Sequence, residues 1–178
     1  MGFTFRARTL LGFVCAAVMA AFLVVAATGG PAAAAGDGVT IAAGNPYGYE
    51  YVNSATQKCL DLRDLYSGNG GWIQQWSCAG SQNQAWVDSN TASGVYSGKN
   101  PATGKCIDAY AGTHQQLRTW TCDGSASQNF KVHQSGSTFR FESVQYPGFC
   151  WDVFGSSSAN GATVGLWECN GRSNQQWG

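Results

Sequence analysis

The sequence predicts an all-β fold built from three copies of one small unit, and three observations predict it. First, a Cys-x-Asp triplet recurs as Cys59-Leu60-Asp61, Cys106-Ile107-Asp108 and Cys150-Trp151-Asp152. Each triplet leads to a tryptophan two residues before a second cysteine: Trp76 and Cys78, Trp120 and Cys122, Trp167 and Cys169. Each copy closes on Gln-x-aromatic, as Gln84-Ala85-Trp86, Gln128-Asn129-Phe130 and Gln175-Gln176-Trp177. Second, the spacing is regular. The motif aspartates lie 47 and 44 residues apart, and the second cysteines and closing aromatics 44 and 47. Such a period marks a repeat architecture, and three copies indicate a closed threefold object rather than an open solenoid. Third, short β-forming runs alternate with Gly/Ser/Asn-rich loops, and no amphipathic helical stretch appears.

The composition narrows the class. Charged residues are 11 % and aromatics 13 % of the 178 residues, unlike a disordered chain. The formal net charge is zero, and without Arg6 and Arg8 of the leader eight basic residues face ten acidic ones. No run of like charges occurs, so the footprint for nucleic acid or an anionic membrane is missing.

In chain order, Arg6 and Arg8 begin a positive n-region, an uncharged apolar run extends from Leu10 to Ala27, and Ala33-Ala34-Ala35 gives a small-residue cleavage signature. Residues 1–35 read as a secretory signal peptide, which makes the mature protein extracellular with no membrane insertion after cleavage. The competing reading is an uncleaved anchor, because the apolar run approaches the roughly 18–20 residues of a membrane span. Cys15 lies too early in that run for a lipoprotein anchor, and Arg6 and Arg8 are not adjacent, so a twin-arginine signal is not supported. Residues 36–47 form a linker, and residues 48–178 form one domain with lobes at about 48–92, 93–136 and 137–178.

Within the domain, Glu50-Tyr51-Val52, Phe139-Arg140-Phe141 and Val164-Gly165-Leu166-Trp167 have strand composition. Asn69-Gly70 and Asn160-Gly161 each stand nine residues before a second cysteine and mark tight turns. Two-residue alternation assigns faces. Leu60 and Leu62 point inward and Asp61 outward. Ile73 points inward, as do Leu117 and Val164 in the other copies, while Gln74 and Trp76 share the opposite face. The motif aspartates are therefore expected on the outer surface with the tryptophans, since an unpaired buried carboxylate is costly. Trp86, Phe130 and Trp177 read as the packed centre of the threefold core.

Six cysteines remain beyond the leader. They allow 15 pairings, and the repeat symmetry favours pairing within each copy: Cys59–Cys78, Cys106–Cys122 and Cys150–Cys169. A zinc site is disfavoured. No pair has Cys-x2-4-Cys spacing, and only His114 and His133 exist to complete a tetrahedral set. No cofactor or metal is expected.

The threefold Cys-x-Asp, aromatic-x-Cys and Gln-x-Trp pattern resembles the ricin-B-type β-trefoil lectins, also known as carbohydrate-binding modules of family 13. The resemblance spans roughly residues 48–178, with Phe130 replacing the tryptophan in the second copy. It implies a β-trefoil of three pseudo-equivalent lobes with one shallow sugar site each. In the first lobe the motif positions fall on Asp61, Gln74, Trp76, Asn83 and Gln84. In the third they fall on Asp152, Trp167, Asn174 and Gln175, with Gly165 where Gln74 stands. In the second they fall on Asp108, Trp120 and Gln128, but Arg118 replaces the glutamine, Ser127 replaces the asparagine, and the segment between cysteines is three residues shorter. The expected order of activity is first, third, second.

The residue chemistry agrees. A carboxylate accepts two hydroxyl donors at once, an amide both donates and accepts, and an indole offers an apolar face to a sugar's C–H side. Gln84, Gln128 and Gln175 are expected to bond loop backbone as well as ligand.

Catalytic signatures are missing: the sequence has no Gly-x-Ser-x-Gly, His-Glu-x-x-His or Walker loop. The histidines have no repeat partners and read as surface residues. Asp64 is the one carboxylate close in sequence to Asp61, and reads as an exposed loop residue. The expectation is a secreted, non-catalytic lectin for galactose- or xylose-type glycans. Two alternatives are a β-trefoil inhibitor or interaction module working through loops such as 64–67 and 155–159, and an accessory subunit of a separately encoded glycoside hydrolase.

Overall fold

The structure, a computed structural model, describes residues 46–92 and 94–178. The expected signal peptide, and the expected linker except for its last two residues, lie outside the described residues. Among the described residues no helix is long and apolar enough to cross a membrane.

Among the described residues ten strands follow one another: β1 Cys59–Leu62, β2 Gly71–Trp76, β3 Val87–Ala92, β4 Val95–Lys99, β5 Lys105–Asp108, β6 Arg118–Thr121, β7 Phe130–Ser135, β8 Thr138–Ser143, β9 Phe149–Val153 and β10 Val164–Glu168. Each lobe is centred on an antiparallel hairpin that begins at its Cys-x-Asp triplet: β1–β2, β5–β6 and β9–β10. A single turn of 3-10 helix follows each hairpin, at Gln82–Gln84, Ala126–Gln128 and Ser173–Gln175. The Glu50–Val52 run forms isolated bridges rather than a ladder: Tyr49 pairs with Trp86, and Val52 with Cys59.

The second strands of the hairpins meet around the pseudo-threefold axis. β2 pairs with β6, Gln116 bridges to Gly165, and Gln74 bridges to Thr163. The same hydrogen bond crosses each lobe boundary: Gly70 donates to the Thr119 carbonyl (2.7 Å), His114 to Leu166 (2.8 Å) and Gly161 to Gln75 (2.9 Å). The donor sits in the left-handed region each time, with φ of 89°, 58° and 82°. Two lobes supply glycine there, and the second supplies histidine, which bears the steric cost of a Cβ in that region.

The core is threefold in composition as well as position. Leu60, Ile107 and Trp151 occupy one set of equivalent sites, Ile73, Leu117 and Val164 another, and Trp86, Phe130 and Trp177 a third; all are buried. The expected inward slots and core aromatics are thus met. Trp151 fills extra space in the third lobe by stacking on Phe141 (4.3 Å between centroids) and meeting Tyr51, Phe130 and Trp177 edge-on.

Three disulfides form within the lobes as the repeat symmetry predicts, Cys59–Cys78, Cys106–Cys122 and Cys150–Cys169, each with Cα atoms 5.1 Å apart. Sequence separations of 19, 16 and 19 residues correspond to about 3 kcal/mol each in the loop-entropy account. The chain adopts the all-β trefoil of three pseudo-equivalent lobes, each stapled by one disulfide.

Candidate functional site

The motif aspartates are buried, contrary to the expected outward placement: Asp61 is 1 % exposed, and Asp108 and Asp152 3 %. The objection to burying a carboxylate applies to an unpaired one, and these are paired. In the first lobe Gln74 Nε2 donates to Asp61 Oδ1 (2.9 Å), while Asn83 Nδ2 (2.6 Å) and Gln84 Nε2 (3.1 Å) donate to Oδ2. Burial pushes the Asp61 carboxyl above its ordinary range; the Gln74 and Gln84 hydrogen bonds act in the opposite direction.

Strand register makes this set. Asp61 lies opposite Gln74 across β1–β2, and Trp76 follows two residues on, on the same face. Asn83 and Gln84 come from the 3-10 turn, which Asn100 of the second lobe holds by donating to the Gln82 (2.8 Å) and Ala85 (3.0 Å) carbonyls. Asp61, Asp64, Leu65, Gln74, Trp76 and Asn83 line an open pocket of about 300 Å³. Trp76 is 43 % exposed and is backed by the third lobe's turn, where a Cβ on Gly161 would lie 3.7 Å from its ring.

Gln84, Gln128 and Gln175 do the same thing in every lobe. Each Nε2 donates to its aspartate's Oδ2 and to a backbone carbonyl after the motif tryptophan: Ser77, Thr121 and Glu168 respectively. Each Oε1 accepts from a backbone N–H: Ala79, Asp123 and Asn170. These side chains are fully buried and saturated. The expected bonds to loop backbone are present, and the remaining amide hydrogen goes to the aspartate.

In the third lobe, Asn174 Nδ2 (2.9 Å) and Gln175 Nε2 (2.8 Å) both donate to Asp152 Oδ2. Burial again raises the carboxyl's pKa, while these bonds and the nearby Arg172 lower it. Asp152, Gly155, Ser156, Trp167, Asn170, Arg172 and Asn174 line a pocket of about 340 Å³. Gly165 cannot be replaced by the missing glutamine, because a Cβ there would lie 2.4 Å from both the Gln115 carbonyl oxygen and the Phe154 ring. Phe154 fills that space and meets Trp167 edge-on at 5.7 Å.

The second lobe brings Asp108 and Gln128 together but turns Arg118 away. Asp108 accepts from the Tyr110 backbone N–H (2.8 Å) and from Gln128 (2.9 Å). Ser127 bonds to Ser125 (2.9 Å). Tyr110 packs on Trp120 at 4.7 Å. Arg118 turns to the first lobe, where it donates to the Gly70 carbonyl (3.3 Å) and lies over the Trp72 ring at 4.9 Å.

The loops 64–67 and 155–159, expected only as contacts of an alternative interaction module, supply the rims of the first- and third-lobe pockets. Asp64 and Leu65 have φ of 57° and 48°, and Gly155 and Ser156 repeat this at 64° and 50°. The third lobe's glycine at this position is the signal that could have pointed to the turn. The histidines lie at the surface as expected, and each has a partner there. His114 contacts Glu168 (2.9 Å) and meets Trp167 edge-on at 4.6 Å, and His133 contacts Glu142 (2.7 Å). Among the described residues the one close grouping of possible metal donors is Glu50 with Cys59 and Cys78, and both cysteines are consumed by their disulfide.

Known proteins place this geometry in context. The family model described as ricin-type beta-trefoil lectin domain-like matches residues 39–116 and 87–167. No curated protein matches the chain. Among solved structures, the designed threefold-symmetric protein ThreeFoil is similar at TM-score 0.69 and 26 % identity, over 72 % of this chain and 94 % of that one. The exo-β-1,3-galactanase 1,3Gal43A from Clostridium thermocellum is similar at TM-score 0.67 and 26 % identity, over 75 % of this chain but only 30 % of the galactanase. The C-half of the earthworm R-type lectin, solved with GalNAc, shares the fold at TM-score 0.57 and 22 % identity, over 72 % of this chain and 93 % of that one. By fold and by sequence over most of its length, the chain belongs to the ricin-type β-trefoil lectin domain-like family.

Proposed function

We propose that the protein is a secreted, non-catalytic lectin that binds galactose- or xylose-type glycans through its first and third lobes. The observation that carries this reading is the Asp61 carboxylate, held by three amides at the floor of an open pocket whose wall is the exposed Trp76. A carboxylate has about four lone-pair sites. Three amide bonds leave Asp61 one site for a sugar hydroxyl, and Gln74 and Asn83 add amide groups beside it. Asp152 receives two bonds, both on Oδ2, which leaves Oδ1 to accept a sugar hydroxyl. The Trp76 and Trp167 faces suit the C–H side of a pyranose.

The left-handed Asp64-Leu65 and Gly155-Ser156 turns flank these pockets, and strained backbone of this kind clusters at ligand sites. Asp61 takes amide hydrogens on both oxygens, which suits a fixed acceptor rather than a proton donor. Two sites on one rigid body favour polysaccharides through avidity. Three disulfides support an oxidising, extracellular setting. A second reading, an accessory binding subunit of a separately encoded glycoside hydrolase, is favoured by the likeness to part of a galactanase.

The test is an NMR titration of the mature protein with galactose, lactose and xylooligosaccharides, following the indole N–H resonances. Trp76 and Trp167 are expected to shift and Trp120 to stay. Unchanged Trp76 and Trp167 at saturating sugar would contradict the reading.

A further inference from the structure

Beside the first-lobe pocket lies a second one of different character. Arg63, Asp64, Tyr66, Gly70, Gly71 and Trp72 line a space of about 350 Å³. Asp64 lines both pockets, so they adjoin. Trp72 is 44 % exposed and precedes Gln74 and Trp76 on the same face of β2. Two guanidinium groups lie over its ring, Arg63 with Cζ 5.3 Å from the centroid and Arg118 at 4.9 Å. Trp72 and Arg118 are cross-strand partners between β2 and β6, so each of two lobes supplies one cation.

The charges there do not balance. Asp64 pairs with Arg63 at 3.6 Å on the open surface. Arg118 has no carboxylate within 4.0 Å among the described residues; it donates to the Gly70 carbonyl, and its buried Nε has no partner. A guanidinium held against an aromatic ring is preorganised for an oxyanion, to which it donates through a planar fork.

We propose that this pocket is a subsite for an acidic saccharide unit, one carrying a carboxylate or a sulfate ester, adjoining the sugar held at Asp61. The proposal rests on the first-lobe reading above and gives it a substrate class: acidic rather than purely neutral polysaccharide. Arg63 lines the pocket and supplies donors and charge directly, Arg118 adds positive charge from over the Trp72 ring without lining the pocket itself, and Trp72 and Tyr66 supply the apolar walls. A bound oxyanion beside Arg63 also offsets the nearby Arg118 charge, which has no carboxylate partner among the described residues.

The test is calorimetric titration of the mature protein with three probes at low ionic strength: a neutral xylooligosaccharide, the same chain bearing a glucuronic acid, and the same chain bearing a sulfate ester. One acidic probe or both should bind about tenfold tighter than the neutral one, the worth of a charge-assisted hydrogen bond, and high salt should shrink the difference. Which acidic probe gains identifies the group. In Arg63→Ala, an exposed position that the fold tolerates, and in Arg118→Ala the acidic-to-neutral ratio should fall toward one. Asp61→Asn should lower both affinities and leave the ratio. Equal binding of all three probes by the wild type, or a preference that survives both arginine substitutions, overturns the subsite. If the neutral probe fails to bind while an arginine-dependent acidic preference remains, the Asp61 reading fails and the subsite stands.

Discussion

Gln84 Nε2 lies 3.1 Å from Asp61 Oδ2, and both residues are 1 % exposed. The glutamine spends its second amide hydrogen on the Ser77 carbonyl and its oxygen on the Ala79 N–H. It therefore ties the motif carboxylate to the chain that follows the motif tryptophan. The pairs Gln128–Asp108 (2.9 Å) and Gln175–Asp152 (2.8 Å) repeat the arrangement. The recurring glutamine is thus part of the framework, and it acts on the site by fixing a carboxylate.

Replacing this glutamine should cost stability in every lobe. Gln84→Ala, Gln128→Ala and Gln175→Ala each leave buried backbone groups and a carboxylate short of partners, a cost of about 1–3 kcal/mol. Urea denaturation of the three variants should show it. Sugar affinity should fall for Gln84→Ala and Gln175→Ala and stay unchanged for Gln128→Ala, because in the second lobe Arg118 turns away to Trp72 and Tyr110 packs on Trp120. A stability loss confined to one lobe would contradict the shared framework role.

The tryptophans divide into two kinds. Trp76 and Trp167 are 43 % exposed, so Trp76→Ala and Trp167→Ala should stay within about 1 kcal/mol of wild-type stability while weakening sugar binding. Trp86 is fully buried and its Nε1 donates to the Leu60 carbonyl (3.1 Å). Trp86→Ala should cost about 3–5 kcal/mol. Thermal melts beside a polysaccharide retention assay separate the two effects.

Asp88 gives a pH signature away from the pockets. Burial pushes its carboxyl up to about 6, against the opposing hydrogen bond from the Tyr51 hydroxyl. An unfolded aspartate titrates near 3.9, so between about pH 4 and pH 6 the folded state holds more proton than the unfolded chain. This group's contribution is present at low pH and is lost as pH rises through about 6. The raised Asp61 and Asp152 carboxyls act in the same direction. Asp88→Asn keeps an acceptor for Tyr51 and removes the burial cost of the charge. Its melting temperature should exceed the wild type's at pH 7.5, with a flatter profile between pH 4 and 6. Parallel profiles would contradict this.

Sugar binding should weaken on acidification sooner than an ordinary aspartate would dictate. Burial raises both Asp61 and Asp152, and protonation removes acceptor sites that the hydroxyls need. Titrations at stepped pH, with folding followed by circular dichroism, should show affinity falling before the fold is lost.

The repeat made much of this legible. Cysteine pairing, the aliphatic slots of Ile73, Leu117 and Val164, and the buried Trp86, Phe130 and Trp177 all follow from comparing three copies of one unit. Strand alternation failed at Asp61, Asp108 and Asp152, because it counts which way a side chain points and not how many amides converge on it. At Asp61 those amides come from a facing strand and a 3-10 turn, at Asp108 and Asp152 from the 3-10 turn 20 to 23 residues on, and spacing does not reveal the convergence. Lobe boundaries hid the rest. Arg118 leaves its own lobe for Trp72, His114 braces Trp167 of the next lobe, and neither contact has a signature within one repeat.

The central claim is that amide-held aspartates in the first and third lobes bind sugar. Calorimetric titration of wild type and of Asp61→Asn combined with Asp152→Asn, using lactose and a xylooligosaccharide, tests it most directly. Gln74 can turn its amide to meet an asparagine at 61, so the variant should remain folded. The account predicts heat of binding for one or both sugars in the wild type and none in the folded double variant. Undiminished binding by that variant would contradict it.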